Sequence, residues 1–276
     1  MLTAFLTLCV VCAPAETIAL ENAQLRIEID PHLFAIRYVG FPGEPGFMDS
    51  LAVSQEVREG AAWADAGGLH TDLLPYTAKD AAIRRGPAQV LELREDYVAM
   101  LGPPSEKTGI RLKKEVQLVG REARARFRVT AIRVAGETKA VALRNTVRIP
   151  VHSTLRIPKE GVSVEALAGL KTIAPAVVKS RKYWIIPIPP TAELNGVILG
   201  AFTGEVVLLN QSGSWTRRLV SMPPTPDATP NACSFLCLLD DETRTYGAAL
   251  QGETRELKTD ELLVLEEEWV FERRGR

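Results

Sequence analysis

The stretch Ala123-Arg124-Ala125-Arg126-Phe127-Arg128-Val129-Thr130-Ala131 sets an apolar residue at every second position and a charged or polar one between. Successive side chains of an extended strand point to opposite faces, so this segment predicts a strand with one dry face and one charged face. Its neighbours repeat the pattern. Before it, Gly109 to Val119 alternates through Ile110, Leu112 and Val116, and Gly120-Arg121 has the composition of a hairpin turn. After it, Gly136-Glu137 breaks the chain and Ala140 to Ile149 alternates again. Turn signals spaced about ten to fourteen residues apart predict antiparallel sheets packed as a sandwich or barrel.

The pattern extends in both directions. Leu25 to Asp30 and Phe34 to Val39 form two early runs, closed by the Pro- and Gly-containing segment Gly40 to Gly46. Val90-Leu91-Glu92-Leu93 precedes the Gly-Pro-Pro turn at 102–104. In the second half Leu194 to Phe202, Val206 to Leu209, Trp215 to Val220, Phe235 to Leu239, Tyr246 to Leu250 and Leu262 to Phe271 read as strands. Val162 to Ala166 and Lys171 to Val178 are apolar without a clear period. Residues 56–87 are polar and Gly-rich and predict a long loop, with a weak helical turn near Ala78 to Arg85. Ile185 to Pro190 carries three prolines, which argues against a central strand because proline lacks the ladder donor. Ser221 to Pro230, with four prolines, reads as loop. The fold class expected is all-β, a large antiparallel supersandwich with few or no helices, forming a single domain over 16–276.

Residues 1–15, MLTAFLTLCVVCAPA, carry no charge, and Ala13-Pro14-Ala15 fits the small-x-small cleavage pattern of a signal peptide. The expectation is export to a secreted or periplasmic location, although no Lys or Arg precedes the apolar run. Leu8 fits poorly before a lipid-modified cysteine, so anchoring at Cys9 is not expected. The apolar run is too short for a resident membrane helix, and no later stretch reads as an integral membrane segment. The chain of 276 residues is 46% hydrophobic and has a formal charge of −1, so it lacks the basic excess that nucleic-acid binders usually carry. Beyond the signal, Cys233 and Cys237 read as small buried residues. Four residues of strand span roughly 13 Å, well over the ~7 Å limit for bridged Cα atoms.

Candidate chemistry is sparse. No nucleophile elbow, phosphate-binding loop, zinc-protease helix or calcium loop occurs, and neither a cofactor nor a metal is expected. Of the three histidines, His32 and His152 read as surface residues in turns, whereas His70 closes Gly67-Gly68-Leu69-His70 close to Trp63. Histidine suits proton transfer near neutral pH, and Trp63 offers a flat apolar face with an edge donor, which suits a sugar ring. Glu253, after Gln251-Gly252 at the end of an apolar strand, is the candidate base. Lys179, Arg181 and Lys182 before Tyr183-Trp184 form a basic aromatic cluster that could grip an anionic or sugar ligand. Glu266-Glu267-Glu268 reads as a solvated edge.

The order of these landmarks resembles that of galactose-mutarotase-like supersandwich proteins, and more closely an uncharacterised bacterial family with that fold. The likeness is carried by Asn22 within Glu21 to Ile27, by Trp63 with Gly67-Gly68-Leu69-His70, by Thr108-Gly109-Ile110 through Val116, by Asn145 to Pro158, and by Gly252-Glu253 through Trp269. It runs loosely over residues 17–271. Leu33-Phe34-Ala35 stands where that family has Gly-Gly-Arg, the histidine of the Gly-Gly segment is displaced by one place, and the arginine after it is missing. The resemblance implies a carbohydrate-type cleft. Mutarotases open and close a sugar ring with a histidine acid and a glutamate base; the resemblance matches Glu253 to the base by position, His70 is the candidate acid, and Trp63, Lys179, Arg181 and Trp184 are the candidate binding residues on their own chemistry. Three functions follow as expectations: carbohydrate binding without turnover, an aldose 1-epimerase-like reaction, or a structural module of the cell envelope with no small ligand.

Overall fold

The computed structural model describes residues 17–48, 68–75, 83, 87–137, 139–150, 152–158, 164–166, 178–188, 197–199, 205–220, 235–240 and 245–275. Its strands are β1 (Ile18–Glu21), β2 (Arg26–Asp30), β3 (Ala35–Gly40), β4 (Leu69–Leu74), β5 (Gln89–Arg94), β6 (Tyr97–Leu101), β7 (Ile110–Leu118), β8 (Arg124–Arg133), β9 (Lys139–Ile149) and β10 (Thr154–Pro158). They continue as β11 (Val164–Ala166), β12 (Val178–Lys179), β13 (Tyr183–Pro187), β14 (Val197–Leu199), β15 (Glu205–Leu209), β16 (Gly213–Leu219), β17 (Phe235–Asp240), β18 (Thr245–Gln251), β19 (Arg255–Leu257) and β20 (Leu262–Arg273). Two ten-stranded antiparallel sheets result. The first runs β1-β2-β3-β4-β9-β18-β17-β14-β11, with β19 continuing alongside β9; the second runs β12-β13-β10-β15-β16-β20-β8-β7-β6-β5.

The alternation in Ala123 to Ala131 becomes β8. Ala125, Phe127, Val129 and Ala131 are buried, while Arg126 and Arg128 face solvent. The outward face is a cross-strand charge ladder in which Arg128 lies between Glu115 and Glu266, and Glu268 between Arg126 and Arg218. Opposite charges facing each other across strands stabilise a sheet by a few tenths of a kcal/mol to ~1 kcal/mol per pair. The inward faces of both sheets pack into one core. Ile27, Ile36, Leu69, Leu143 and Leu250 come from the first sheet, and Leu112, Phe127, Leu155, Trp215 and Trp269 from the second. Trp215 meets Trp269 edge-to-face at 5.2 Å between ring centroids and stacks on Phe271 at 5.6 Å.

Three sequence expectations change. The segment read as loop over 56–87 contains β4, an interior strand between β3 and β9. It escaped notice because its inward positions are Leu69, Thr71 and Leu73, and a buried threonine breaks the apolar count. The start of the proline-rich run, Ile185 to Pro187, belongs to β13, which pairs with β10 on one side and β12 on the other, while residues 189–190 lie outside the described residues. β12 meets only Trp184 and Ile185, so Pro187 sits beyond the point where a donor on that side would be used. The triple glutamate is not an edge: it lies on β20, an interior strand between β16 and β8, where alternation turns Glu267 inward to full burial and leaves Glu266 and Glu268 half-buried on the outward face. Trp63, Cys233, the prolines at 221–230 and the first fifteen residues lie outside the described residues, as does the helical turn at 78–85 except Ile83.

Glu267 is paid for by an interlocked set of hydrogen bonds. Arg217 Nε and Nη2 donate to its two oxygens, each at 2.8 Å. The Trp269 indole N–H donates at 2.8 Å, and Asn145 Nδ2 donates at 2.8 Å from the opposite sheet. Thr71 Oγ1 then donates to Asn145 Oδ1 at 2.9 Å, and the Arg217 guanidinium reaches the Ala248 and Asn145 carbonyls at 3.3 Å. One carboxylate therefore ties β16 and β20 to β4, β9 and β18.

Removing one partner of a buried ion pair leaves an uncompensated charge, whereas replacing both with apolar groups is often neutral. Glu267→Leu should therefore destabilise by about 3–5 kcal/mol in urea unfolding, and the double change Arg217→Met/Glu267→Leu should recover the part due to the stranded guanidinium while keeping a cost of about 1–3 kcal/mol for each of the Trp269 and Asn145 donors left without an acceptor. A single variant as stable as the wild type would show that the pair is not the clamp described. A second prediction concerns the β6–β7 pair. Tyr97 Oη donates to Glu115 Oε1 at 2.7 Å and Lys113 Nζ donates to the same oxygen at 2.9 Å. Burial and this hydrogen bond push the Tyr97 phenol up to about 12. Burial, the largest influence on Glu115, acts to raise it, but the Tyr97 and Lys113 hydrogen bonds with the Lys113 and Arg128 charges outweigh it and hold the carboxyl below its ordinary value. The raised phenol contributes stability below pH 10 that is lost as pH rises towards 12, and the depressed carboxyl contributes stability that is lost on acidification below 4.5. Tyr97→Phe should flatten the alkaline fall in urea midpoint between pH 10 and 12, and an unchanged slope would contradict this assignment.

Candidate functional site

β4 carries two kinds of position. Leu69, Thr71 and Leu73 are buried towards the core, and His70 and Asp72 alternate with them on the outward face. His70 lies opposite Thr146 on β9, and Asp72 lies opposite Arg144. Across β9, Thr146 faces Ala249 of β18, and Arg144 faces Gln251. Two parallel rows cross three strands: His70–Thr146–Ala249, and Asp72–Arg144–Gln251. The small side chain of Ala249 leaves Thr146 without a bulky neighbour on the β18 side.

Asp72 is the hub of these rows. Its Oδ2 accepts from Arg144 Nη2 at 2.9 Å and Nε at 3.2 Å, and weakly from Thr146 Oγ1 at 3.5 Å. His70 Nε2 is 3.9 Å from the same oxygen, within ion-pair reach when the ring is protonated. The Asp72 side chain is almost fully buried, whereas His70 and Arg144 remain partly exposed. Arg144 and Asp72 cancel in charge, and the face presents guanidinium, imidazole, hydroxyl and amide groups, with Arg148 next along β9 beyond Thr146. Such planar and forked groups can donate to and accept from neighbouring hydroxyls.

Glu253 follows β18. Gly252 N–H donates to the Leu143 carbonyl at 2.9 Å, and pairing with β9 resumes at Arg255, opposite Val141. From Gln251 to Arg255 is four steps, and from Arg144 to Val141 is three, so one extra residue bulges out of the ladder around the partly buried Glu253. Bulges re-aim side chains and are common beside active sites. Strand geometry puts Glu253 roughly 7 Å along from the Asp72–Arg144–Gln251 row and roughly 13 Å along from the His70 row. His70 and Glu253 therefore flank the Asp72–Arg144 pair across a gap.

The remaining expected residues lie elsewhere. Arg181 and Lys182 are exposed in the turn between β12 and β13, and Lys179 ends β12, all in the second sheet. Trp184 is opposite the buried Ile157 and packs against the core, so its ring is turned inward. These four positions are not brought to the His70 face. Sequence reasoning passed over Asp72, Arg144, Thr146 and Gln251. Asp72 was the findable one, two residues after His70 and hence on the same strand face. Among the described residues, no group of three or more His, Cys, Asp or Glu side chains forms that could hold a metal ion, and no helix is long and apolar enough to cross a membrane.

No protein-family model matches the chain, and no curated protein matches it by sequence. Solved structures do match. An aldose 1-epimerase candidate from Escherichia coli K12 aligns over 94% of this chain and 99% of its own, with a TM-score of 0.65 and 11% identity. A galactose mutarotase-like protein from Lactobacillus casei aligns over 93% and 100%, with a TM-score of 0.63 and 10% identity. A galactose mutarotase related enzyme from Lactobacillus acidophilus aligns over 93% and 97%, with a TM-score of 0.57 and 11% identity. Identities this low speak to architecture alone, and on that ground the chain has the galactose-mutarotase-like β-supersandwich fold.

Proposed function

We propose that this protein binds a carbohydrate on the outward face of the first sheet, over the rows His70–Thr146 and Asp72–Arg144–Gln251. The observation that carries the reading is the convergence on one Asp72 oxygen, Oδ2, of two Arg144 guanidinium nitrogens, the Thr146 hydroxyl and, at 3.9 Å, His70 Nε2. A neutral sugar offers adjacent hydroxyls that each donate and accept, and a self-neutralised pair of planar groups matches that demand without attracting charged competitors. The fold is shared with proteins described as galactose mutarotase-like, which supports the same ligand class.

A second reading, ring opening by acid–base catalysis, is favoured by one feature: His70 and Glu253 flank the polar row instead of touching. The ring oxygen and the anomeric hydroxyl share one carbon, so the imidazole and the carboxylate would have to reach in from the two ends of the row and converge on that single carbon above Arg144. The histidine would donate a proton to the ring oxygen while the glutamate takes the anomeric hydroxyl proton, each within about 3 Å of its atom or through one water. Export of the chain with cleavage after Ala15 accompanies both readings.

Titration of the purified protein with a panel of aldoses tests binding. Arg144→Gln should weaken the affinity for the preferred sugar by about tenfold, the worth of one or two charge-assisted hydrogen bonds. Saturable binding unaffected by that change would move the site elsewhere. Polarimetry on freshly dissolved sugar separates binder from enzyme. If the rate exceeds that of buffer, Glu253→Gln and His70→Ala should each lower it by about 100-fold or more with the fold intact. A buffer-level rate ends the epimerase reading and leaves the binding one. Mass spectrometry of protein recovered from the native host should find Glu16 as the first residue, and a retained Met1 would contradict export.

A further inference from the structure

β5 is a terminal strand of the second sheet, and all six of its residues are exposed. It is longer than the other terminal strands, β1, β11 and β12, which have four, three and two residues. Six large apolar side chains are exposed among the described residues, and three are on β5: Val90 at 36%, Leu91 at 47% and Leu93 at 56%. Solvent therefore meets apolar surface concentrated on a ladder edge that has no partner strand among the described residues, the feature that folded proteins usually blunt. Leu93 lies opposite the fully buried Val98 of β6, so it continues the core face past the last covered strand. Glu92 and Arg94 point the other way and pair with each other at 3.1 Å, with the Arg94 guanidinium 4.5 Å from the Tyr97 ring centroid.

The backbone of this edge dictates how it can be paired. Arg94 closes the hairpin opposite Tyr97 across the two turn residues Glu95 and Asp96. In a two-residue hairpin the closing pair exchanges both hydrogen bonds, so Arg94 and Glu92 direct their N–H and C=O groups to β6, and Leu93 directs its own outward. A second antiparallel strand must therefore hydrogen-bond at Leu93 or, two residues back, at Leu91. Leu91 is at the register shift between Val90 and Glu92, where a bulge disturbs the ladder. Two-fold pairing that sets Leu91 against Leu93 of a second copy also sets Glu92 against Glu92, and like charges directly opposite are destabilising. Two-fold pairing centred on Leu93 sets leucine against leucine, with Glu92 opposite Arg94 twice. The edge is self-complementary in charge in that register.

We propose that β5 is a homodimerisation edge: two copies of this chain pair antiparallel about Leu93 and join their second sheets into one continuous sheet. So short an edge buries well under the roughly 1,000 Å² of a permanent interface, so the dimer is weak and concentration-dependent. The two leucines cover each other on the core side, and two Glu–Arg pairs close the outer side. The carbohydrate face lies on the other sheet and stays open, so this assignment stands or falls independently of the proposed function.

Sedimentation velocity of the full chain, from low micromolar to millimolar, tests it. The expected result is a reversible monomer–dimer equilibrium. Glu92→Arg, which sets arginine against arginine twice, should weaken it by about tenfold, and the double swap Glu92→Arg/Arg94→Glu should restore the wild-type constant. Leu93→Lys should leave a monomer. Because all three positions are exposed, circular dichroism should find each variant folded. A monomer at every concentration, a dimer indifferent to Leu93→Lys, or a double swap that fails to rescue would each overturn the proposal.

Discussion

The carboxylate of Glu267 is the constraint on which the arrangement of this molecule depends. It lies between two large sheets with a guanidinium, an indole N–H and a side-chain amide on its two oxygens. Apolar packing alone would tolerate sliding of one sheet over the other, since leucines and valines are interchangeable neighbours. A fully satisfied buried polar cluster is not interchangeable, because any slip strands a charge at a cost of several kcal/mol. Asn145 is the point where this specificity passes from the second sheet to the first. Its amide N–H reaches Glu267, and its amide oxygen accepts from Thr71, the residue paired with it across β4 and β9.

That pairing fixes the outward face as well. A one-residue slip of a strand exchanges its two faces. Thr71 and Asn145 are inward neighbours in one register pair, and the adjacent pairs, His70 with Thr146 and Asp72 with Arg144, are the polar groups of the candidate site. The buried hydrogen bond below and the ion pair above are therefore set by the same backbone alignment. The site rests on the rigid middle of a sheet, and only Glu253 reaches it from a bulged connection.

Much of the architecture was legible because period-two alternation survives wherever one face is dry and the other wet, as in β7, β8 and β20. It failed where the inward residues were polar. Thr71 hid β4 inside an apparent loop, and Glu267 looked solvated because the two glutamates beside it face outward. Buried polar groups find their partners across the sheets, here 50 to 122 residues away in sequence, and no local pattern carries that distance. Proline misled in the opposite direction, since Pro187 occupies the end of β13 where its missing N–H costs no ladder bond. At the site, His70 stood out by its rarity and Glu253 by its glycine. Asp72, Arg144 and Gln251 are common residues whose alignment exists only after β4, β9 and β18 are paired.

The central claim is that the rows built on β4, β9 and β18 are a sugar-recognition surface. Backbone amide NMR of the isotope-labelled protein, recorded as aldose is added, tests it directly. The account predicts saturable shifts at His70, Asp72, Arg144, Thr146 and Gln251, and unmoved signals along the outward charges of β8 and β20. Shifts confined to the second sheet, or no saturable shift with any aldose, would contradict it.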